Sequence, residues 1–219
     1  MVSSITEGTS FDRHGRPFRR RNYLPGLLAI GVLAVVSVVV WVIALNQPVD
    51  VREAAAVCNA PPPAPATEPP PPALGKQVAH TDMIDVTPAK LADTTIRVLN
   101  ASGQGGQAGE IAGELRDLGF AQPEAANDPI YVTARLACQG QIRFGPSGRA
   151  AAAAVWLVAP CTELFEDQRP DATVDLALGT DFSELAASDD IDAVLASLRP
   201  DATAPADPEL LKRIHTGTC

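Results

Sequence analysis

Histidine and cysteine are scarce in this chain, and so are the spacings that would let them do chemistry. Three histidines occur, His14, His80 and His215, far apart in sequence; the four cysteines, Cys58, Cys138, Cys161 and Cys219, include no C-x-x-C pair. Structural zinc sites draw four such ligands from short paired spacings, so no metal centre is expected. No Gly-Lys-Ser/Thr follows a glycine-rich turn, which excludes a P-loop. G-x-S-x-G is absent as well, so Ser147 in "GPSGR" is not a nucleophile elbow, and no histidine neighbours a plausible nucleophile. There are no internal repeats. Positive charge is also short: 17 Lys and Arg stand against 26 Asp and Glu, for a net charge of −9. Five of the cations, Arg13, Arg16, Arg19, Arg20 and Arg21, fall in the first 23 residues with only Glu7 and Asp12 against them. The remainder is therefore near about −12, a poor surface for nucleic acid or anionic lipid headgroups. Neither an enzyme, a cofactor nor a nucleic-acid partner is expected.

What is present begins with a long uncharged run, "LPGLLAIGVLAVVSVVVWVIAL" at 24–45. As a helix it is about 33 Å long, against a hydrocarbon core of roughly 30 Å. Arginines crowd one flank, and such a flank stays in the cytoplasm. The expected topology is a single-pass signal-anchor in the plasma membrane, N-terminus inside and everything after about residue 46 outside. A secretory signal is the alternative, with Ala54 and Ala56 as its cleavage site, although its apolar core spans only about 7–15 residues. "RRNYL" at 20–24 loosely resembles a twin-arginine signal, and "AAVC" ending at Cys58 a lipoprotein site, but charge-set topology covers the first and Val57 spoils the second.

All four cysteines then lie outside, where an even count reads as disulfides. Four cysteines allow three pairings. The expectation is Cys138 with Cys161, as a staple across strand and helix layers, and Cys58 with Cys219, both outside the core. "PPPAPATEPPPP" at 61–72 holds eight prolines in twelve positions, favouring extended polyproline II and a semi-rigid spacer about 37 Å long.

From about residue 94 the composition is that of a folded domain. "TTIRVL" reads as a strand ending at Asn100; Ile111, Leu115 and Leu118, with Ala108 and Ala112 beside them, mark a helix stopped by Gly119. "IYVTARLA" at 130–137 and "QIRFG" at 141–145 have strand character, with a turn at 145–148 and then the helix "RAAAAAVWLVA". "VDLALGTDF" at 174–182 is a buried-type strand and "DDIDAVLASL" at 189–198 a helix favoured by its first-turn acids. The fold class is α/β, a small two-layer β-α-β-β-α-β sandwich. The segments are a basic tail 1–23, the membrane helix 24–45, a linker 46–93, the domain 94–199 and a tail 200–219, in which Leu210, Leu211 and Ile214 can make one helical contact.

The turn Gly103-x-Gly105-x-x-Ala108 fits a relaxed dinucleotide fingerprint. A dinucleotide also needs an acid at the end of a second central strand. Here "FAQPEAANDP" follows, interrupted by Pro123 and too polar to be central. The glycines are expected to serve tight turning and close packing, with added Cβ atoms at Gly105 or Gly106 colliding with neighbours.

"IRVLNASGQGGQAGEIAGELRDLGF" closely resembles the opening of the LytR C-terminal domain family. Val98, Asn100, Ser102, Gly106, Ala108, Leu115, Gly119 and Phe120 match its pattern, and "LGTDF" at 178–182 its distal end. In larger relatives this domain follows a catalytic one that transfers polymers to the cell wall, and 46–94 has no room for it. The resemblance therefore implies an envelope accessory protein, and it brings no catalytic residues. For a ligand, Arg135, Arg143 and Arg149 are the suggestive set. Arg135 and Arg143, on neighbouring strands, could face one way toward wall phosphates or carboxylates. The expected function is non-catalytic support of envelope integrity by binding a cell-wall polymer or envelope protein. The alternatives are a wall transferase or hydrolase with an unrecognised site, or an assembly scaffold.

Overall fold

A computed structural model describes residues 24–46, 57–63 and 72–217. The chain divides into two units, Met1–Val49 and Asp50–Cys219. In the first, one helix, α1, runs Leu24–Asn46 with no acidic residue in its first turn and no basic one in its last. Its side chains are described for residues 25–41, all exposed. Among the described residues no helix is long and apolar enough to cross a membrane.

The second unit is a mixed α/β body around a six-stranded sheet of order β1-β5-β4-β6-β2-β3. Its strands are β1 (Lys76–Val78), β2 (Thr95–Asn100), β3 (Ala121–Asn127), β4 (Gly140–Phe144), β5 (Glu163–Glu166) and β6 (Val174–Leu178). The helices are α2 (Gln107–Leu118), α3 (Arg149–Val158), α4 (Asp189–Ser197) and α5 (Pro208–Gly217). β2 runs parallel to both β3 and β6, while β4 is antiparallel to β6 and parallel to β5.

Strand alternation sorts the sheet into two faces. Ile96, Val98, Ile142, Phe144, Leu164, Val174, Leu176 and Leu178 join the main core beneath the helices. α2 contributes Ala108, Ile111, Ala112 and Leu115. It ends at Gly119 in the left-handed region, whose N–H and that of Phe120 close on the Arg116 and Leu115 carbonyls. α3 is buried from Ala151 to Val158, as a helix apolar on every side must be. α4 starts on Ser188, whose Oγ accepts the Ile191 N–H at 3.2 Å, with Asp189, Asp190 and Asp192 in its first turn.

The body reaches further N-terminal than residue 94. Met83 and Leu91 are fully buried, and Lys90 Nζ donates to the carbonyls of Ser197, the last residue of α4, and of Arg199 and Ala202 beyond it. Cys58 before the proline run and Leu74 after it pack on the same small cluster. Residues 64–71 lie outside the described residues.

Two strand assignments change. Residues 130–137 form no strand: Ile130, Tyr131 and Leu136 turn inward to cover the second face of the sheet, and the backbone between them loops outward. The partner of β2 is instead β3, "AQPEAAN", polar because it is an edge strand. Pro123 is tolerated there, where one side of the ladder is unpaired, and a register shift with Gln122 at φ 35° marks an irregularity. β1 and β5, of three and four residues, were not expected from the sequence. In the tail, α5 buries Leu211 and Ile214.

Candidate functional site

β2 and β3 both end on an asparagine, Asn100 opposite Asn127, and the glycine turn leaves from there. Asn100 Oδ1 accepts the Gly103 N–H at 3.0 Å, and its Nδ2 donates to the Gln104 carbonyl at 2.6 Å. Buried Ser102 places its hydroxyl 2.6 Å from Gln107 Oε1 and 3.1 Å from Asn100 Oδ1, and accepts the Gln104 N–H. Gln107 Nε2 then reaches the Phe182 carbonyl at 3.0 Å, tying the turn to "LGTDF". These polar groups are engaged in holding the turn itself. Gly103 and Gly106 have φ of 76° and 88°, a region only glycine enters freely. The expected collisions do not occur: a Cβ on Gly105 or Gly106 would meet nothing within 4 Å. Close approach falls instead at Gly179, where a Cβ would run into the Cys138 carbonyl oxygen.

Facing this turn is the irregular loop 128–139, held from four directions. Buried Asp128 caps it from within, Oδ1 accepting the N–H groups of Ile130 and Tyr131 at 2.6 and 2.9 Å. Its Oδ2 takes Arg143 Nη1 from β4 at 2.7 Å, and Arg143 also donates to Gln141 Oε1. From the turn side, the Leu136 N–H donates to the Ala101 carbonyl, and the Thr180 N–H to that of Leu136. From above comes Asn59: its Nδ2 donates to the Arg135 carbonyl, its Oδ1 accepts the Ala137 N–H, and its carbonyl accepts the Tyr131 phenol at 2.6 Å. Burial pushes the Tyr131 phenol up, so it remains the proton donor of that bond. The fourth hold is a disulfide, Cys58–Cys138.

Between turn and loop lies a cleft of about 500 Å³, lined among others by Asn100, Gly103, Asn127, Thr133 and Arg135. It sits at the carboxyl ends of parallel strands, where open α/β sheets generally take ligands. Arg135, Thr133 and Asn127 are exposed at it, and Val132 is 75% exposed on its rim.

The three arginines expected to act together are separated. Arg135 lines the cleft. Arg143 is only 2% exposed and supports the loop through Asp128. The shared exposed face expected of these two does not form, because 130–137 is not a strand. Arg149, at the start of α3, pairs with Glu166 at 3.0 Å and donates to the Asp82 carbonyl. Ser147 donates to the carbonyls of Pro170 and Asp171 and has a structural part.

The expected cysteine pairing is overturned too. Cys138 joins Cys58, not Cys161, because Cys138 faces the second side of the sheet, where Cys58 also packs. Cys161 is disulfide-bonded as well, and Cys219 lies outside the described residues. His80 and His215 meet across Trp156, the rings of Trp156 and His215 stacked at 3.6 Å and those of His80 and Trp156 5.0 Å apart. Asn59, Asn127, Asp128 and Thr133 are what sequence reasoning missed. "NDP" at 127–129 was a readable sign, since Asp before Pro favours a side-chain-capped turn.

The sheet order, the Asn100–Ser102–Gln107 turn and its bond to Phe182 define a class, and sequence comparison agrees. The chain belongs to the LytR C-terminal domain family: residues 93–182 match the model described as LytR cell envelope-related transcriptional attenuator. Across its whole length it is similar to the cell envelope integrity protein Cei of Mycobacterium tuberculosis, 66% identical over 219 residues and 100% of each chain. It is likewise similar to the crystal structure of the soluble domain of a conserved hypothetical secreted protein from Mycobacterium marinum. That match has 66% identity and a TM-score of 0.66, covering 67% of this chain and 99% of the other.

Proposed function

We propose that this chain is a membrane-anchored envelope protein whose exterior body is a non-catalytic binding module for a wall component or an envelope partner. The observation that carries the binding reading is the loop 128–139. It is irregular and outward-facing, yet held by a disulfide, a buried ion pair and three bonds from Asn59. Binding residues concentrate on loops that a rigid scaffold positions, and this loop is fixed beside an open cleft. The binding reading is also supported by the engagement of Asn100, Ser102 and Gln107 with one another, which leaves them structural duties rather than chemical ones. The envelope setting is supported by the family description and by the name of the Mycobacterium tuberculosis relative.

The anchor reading is supported by the uncharged sequence run at 24–45 and by the arginines before it. The disulfides of the body fit an exterior, oxidising compartment, as does the description of the Mycobacterium marinum relative as secreted. Fusion of alkaline phosphatase after Cys219 tests this: activity recovered in the membrane fraction is expected. Activity found only in the medium would mean a cleaved leader, and a reporter that works only in the cytoplasm would end the topology. For the binding reading, the full chain in detergent is expected to co-sediment with purified cell wall or to crosslink a discrete envelope protein. Turnover of wall polymer by the pure protein would replace binding with catalysis.

A further inference from the structure

The body is acidic, and five of its arginines are paired with carboxylates. Arg97, Arg143, Arg149, Arg169 and Arg213 each hold an Asp or Glu. Arg116, Arg135 and Arg199 carry no ion pair among the described residues, and of these Arg135 lines the cleft. Its side chain is exposed at the cleft. It lies across Gly103, where a Cβ would come within 3.0 Å of Arg135 Nε, and its own carbonyl is held by Asn59. A side chain at Gly103 would displace it, which gives that glycine a second duty beyond its φ of 76°.

We propose that the cleft takes an anionic saccharide, with Arg135 receiving the charged group and the rest of the cleft the sugar hydroxyls; this rests on the binding reading above. A guanidinium fork meets a carboxylate or a phosphate through two parallel bonds. Around it stand the exposed carboxamide of Asn127, the hydroxyl of Thr133 and the backbone of the glycine turn, a mixed set of donors and acceptors such as a polyol needs. One exposed cation in the cleft of a body of about −12 net charge selects a ligand with isolated charges and repels a polyanion, so nucleic acid is excluded. A peptide carboxylate fits less well. Side chains are usually received by apolar pockets, and extended peptides by open strand edges, but the edge strand here carries Pro123 and a register shift. Arg143 is the positioning residue. It acts through Asp128, which sets the course of the loop that carries Arg135.

The test uses the full chain in detergent and four probes. N-acetylglucosaminyl-N-acetylmuramic acid carries a carboxylate, N-acetylglucosamine 1-phosphate a phosphate, N,N′-diacetylchitobiose no charge, and a dialanyl-glutamate peptide a charge without sugar. The expected result is saturable binding of at least one charged sugar, at least tenfold tighter than chitobiose, with amide shifts at Gly103 and Thr133. Which charged sugar binds distinguishes carboxylate from phosphate. Arg135→Gln is expected to reduce that affinity to the chitobiose level without changing the melting temperature, and Arg135→Lys to retain part of it. Equal binding of neutral and charged sugars, an unchanged Arg135→Gln variant, or a peptide that binds as well as the sugars overturns the proposal. If all four probes fail while the same preparation binds isolated cell wall, this inference falls and the binding reading stands. If it binds neither wall nor probes and crosslinks no partner, both fall.

Discussion

The two faces of the sheet are built by different chemistry. Beneath the helices the strands present Ile96, Val98, Ile142, Phe144, Leu176 and Leu178, nearly all with no exposed surface. On the opposite face the same strands carry Arg97, Asp175 and Arg143, which stand directly across from one another on β2, β6 and β4. Asp175 accepts both Nε and Nη2 of Arg97, at 2.7 and 2.9 Å, and Arg169 Nη2 at 2.7 Å. Arg143 turns to Asp128 instead. Apolar burial is non-directional, so the helical face fixes how strongly the body folds. Buried ion pairs cost desolvation and bond in defined directions. The polar face therefore contributes less to net stability and more to where the loop 128–139 lies.

The largest effect expected separates these two contributions. Asp128→Ala leaves Arg143 buried without its partner and removes the caps on Ile130 and Tyr131, for a loss of about 4 kcal/mol. Leu176→Ala on the helical face is expected to lose a similar amount, about 3 kcal/mol, through a cavity. Urea melts will show both losses, but native-state hydrogen exchange should tell them apart. Asp128→Ala should also free the amides of Leu136 and Ala137 at low denaturant, whereas Leu176→Ala should leave them as protected as the core. If both variants protect the loop equally, the division of labour between the faces is wrong.

A smaller effect belongs to the imidazole of His215. His215 is stacked on Trp156, its Nδ1 buried with no hydrogen-bond partner, and His80 lies on the same tryptophan. Burial, and then the charge of His80, push His215 down to about 4 from an ordinary value of 6.5. The folded state thus holds the ring neutral where the unfolded chain would protonate it. The stabilisation is complete above pH 6.5 and is lost progressively as pH falls toward 4. The other charged groups on α5, Glu209, Lys212 and Arg213, are exposed, and Arg213 is paired with Asp190 of α4. Discounted for residual solvent, the loss by pH 4.5 is about 1.5 kcal/mol. Melting temperatures of wild type and His215→Phe should follow parallel pH dependences above pH 6.5, and below it the wild type should fall the faster. A wild-type melting temperature that falls no faster than that of the variant between pH 6.5 and 4.5 would refute the assignment.

The same contrast explains what could be read in the sequence. β2, α2, β4, β6 and α4 bury one regular apolar face, and periodicity of 2 or 3.6 carries that directly, while α3 is legible as an unbroken apolar run. The polar face carries no such signal. Strand 121–127 was hidden by Pro123 and its acidic, alanine-rich content, which an edge position permits. The run 130–137 has strand-like residues, yet they cover a face rather than pair across one. The Cys58–Cys138 pairing depends on a segment 80 residues away landing on that face, information no local pattern contains. The family motif was legible as letters. That Asn100, Ser102 and Gln107 bond one another, and that Arg143 pairs with Asp128, follows only from three-dimensional placement.

The smallest effect lies in the turn that borders the cleft, where two adjacent glycines should behave differently. Gly106 holds φ at 88° immediately before α2, and an alanine forced into that region costs about 1 kcal/mol even with open space around its methyl group. Gly105 shows no positive φ and no neighbour within 4 Å of a built Cβ. Gly105→Ala should therefore be neutral or gain a few tenths of a kcal/mol, because alanine restricts the unfolded chain more than glycine does. Both positions are far from Arg143 and Asp128 in the bonding scheme, so neither change should alter exchange at Leu136 or Ala137. Differential melts of the two alanine variants decide the matter. Equal losses at both sites would mean that crowding, not backbone angle, selects glycine here, and the turn would then need to close more tightly on a neighbour than its geometry shows.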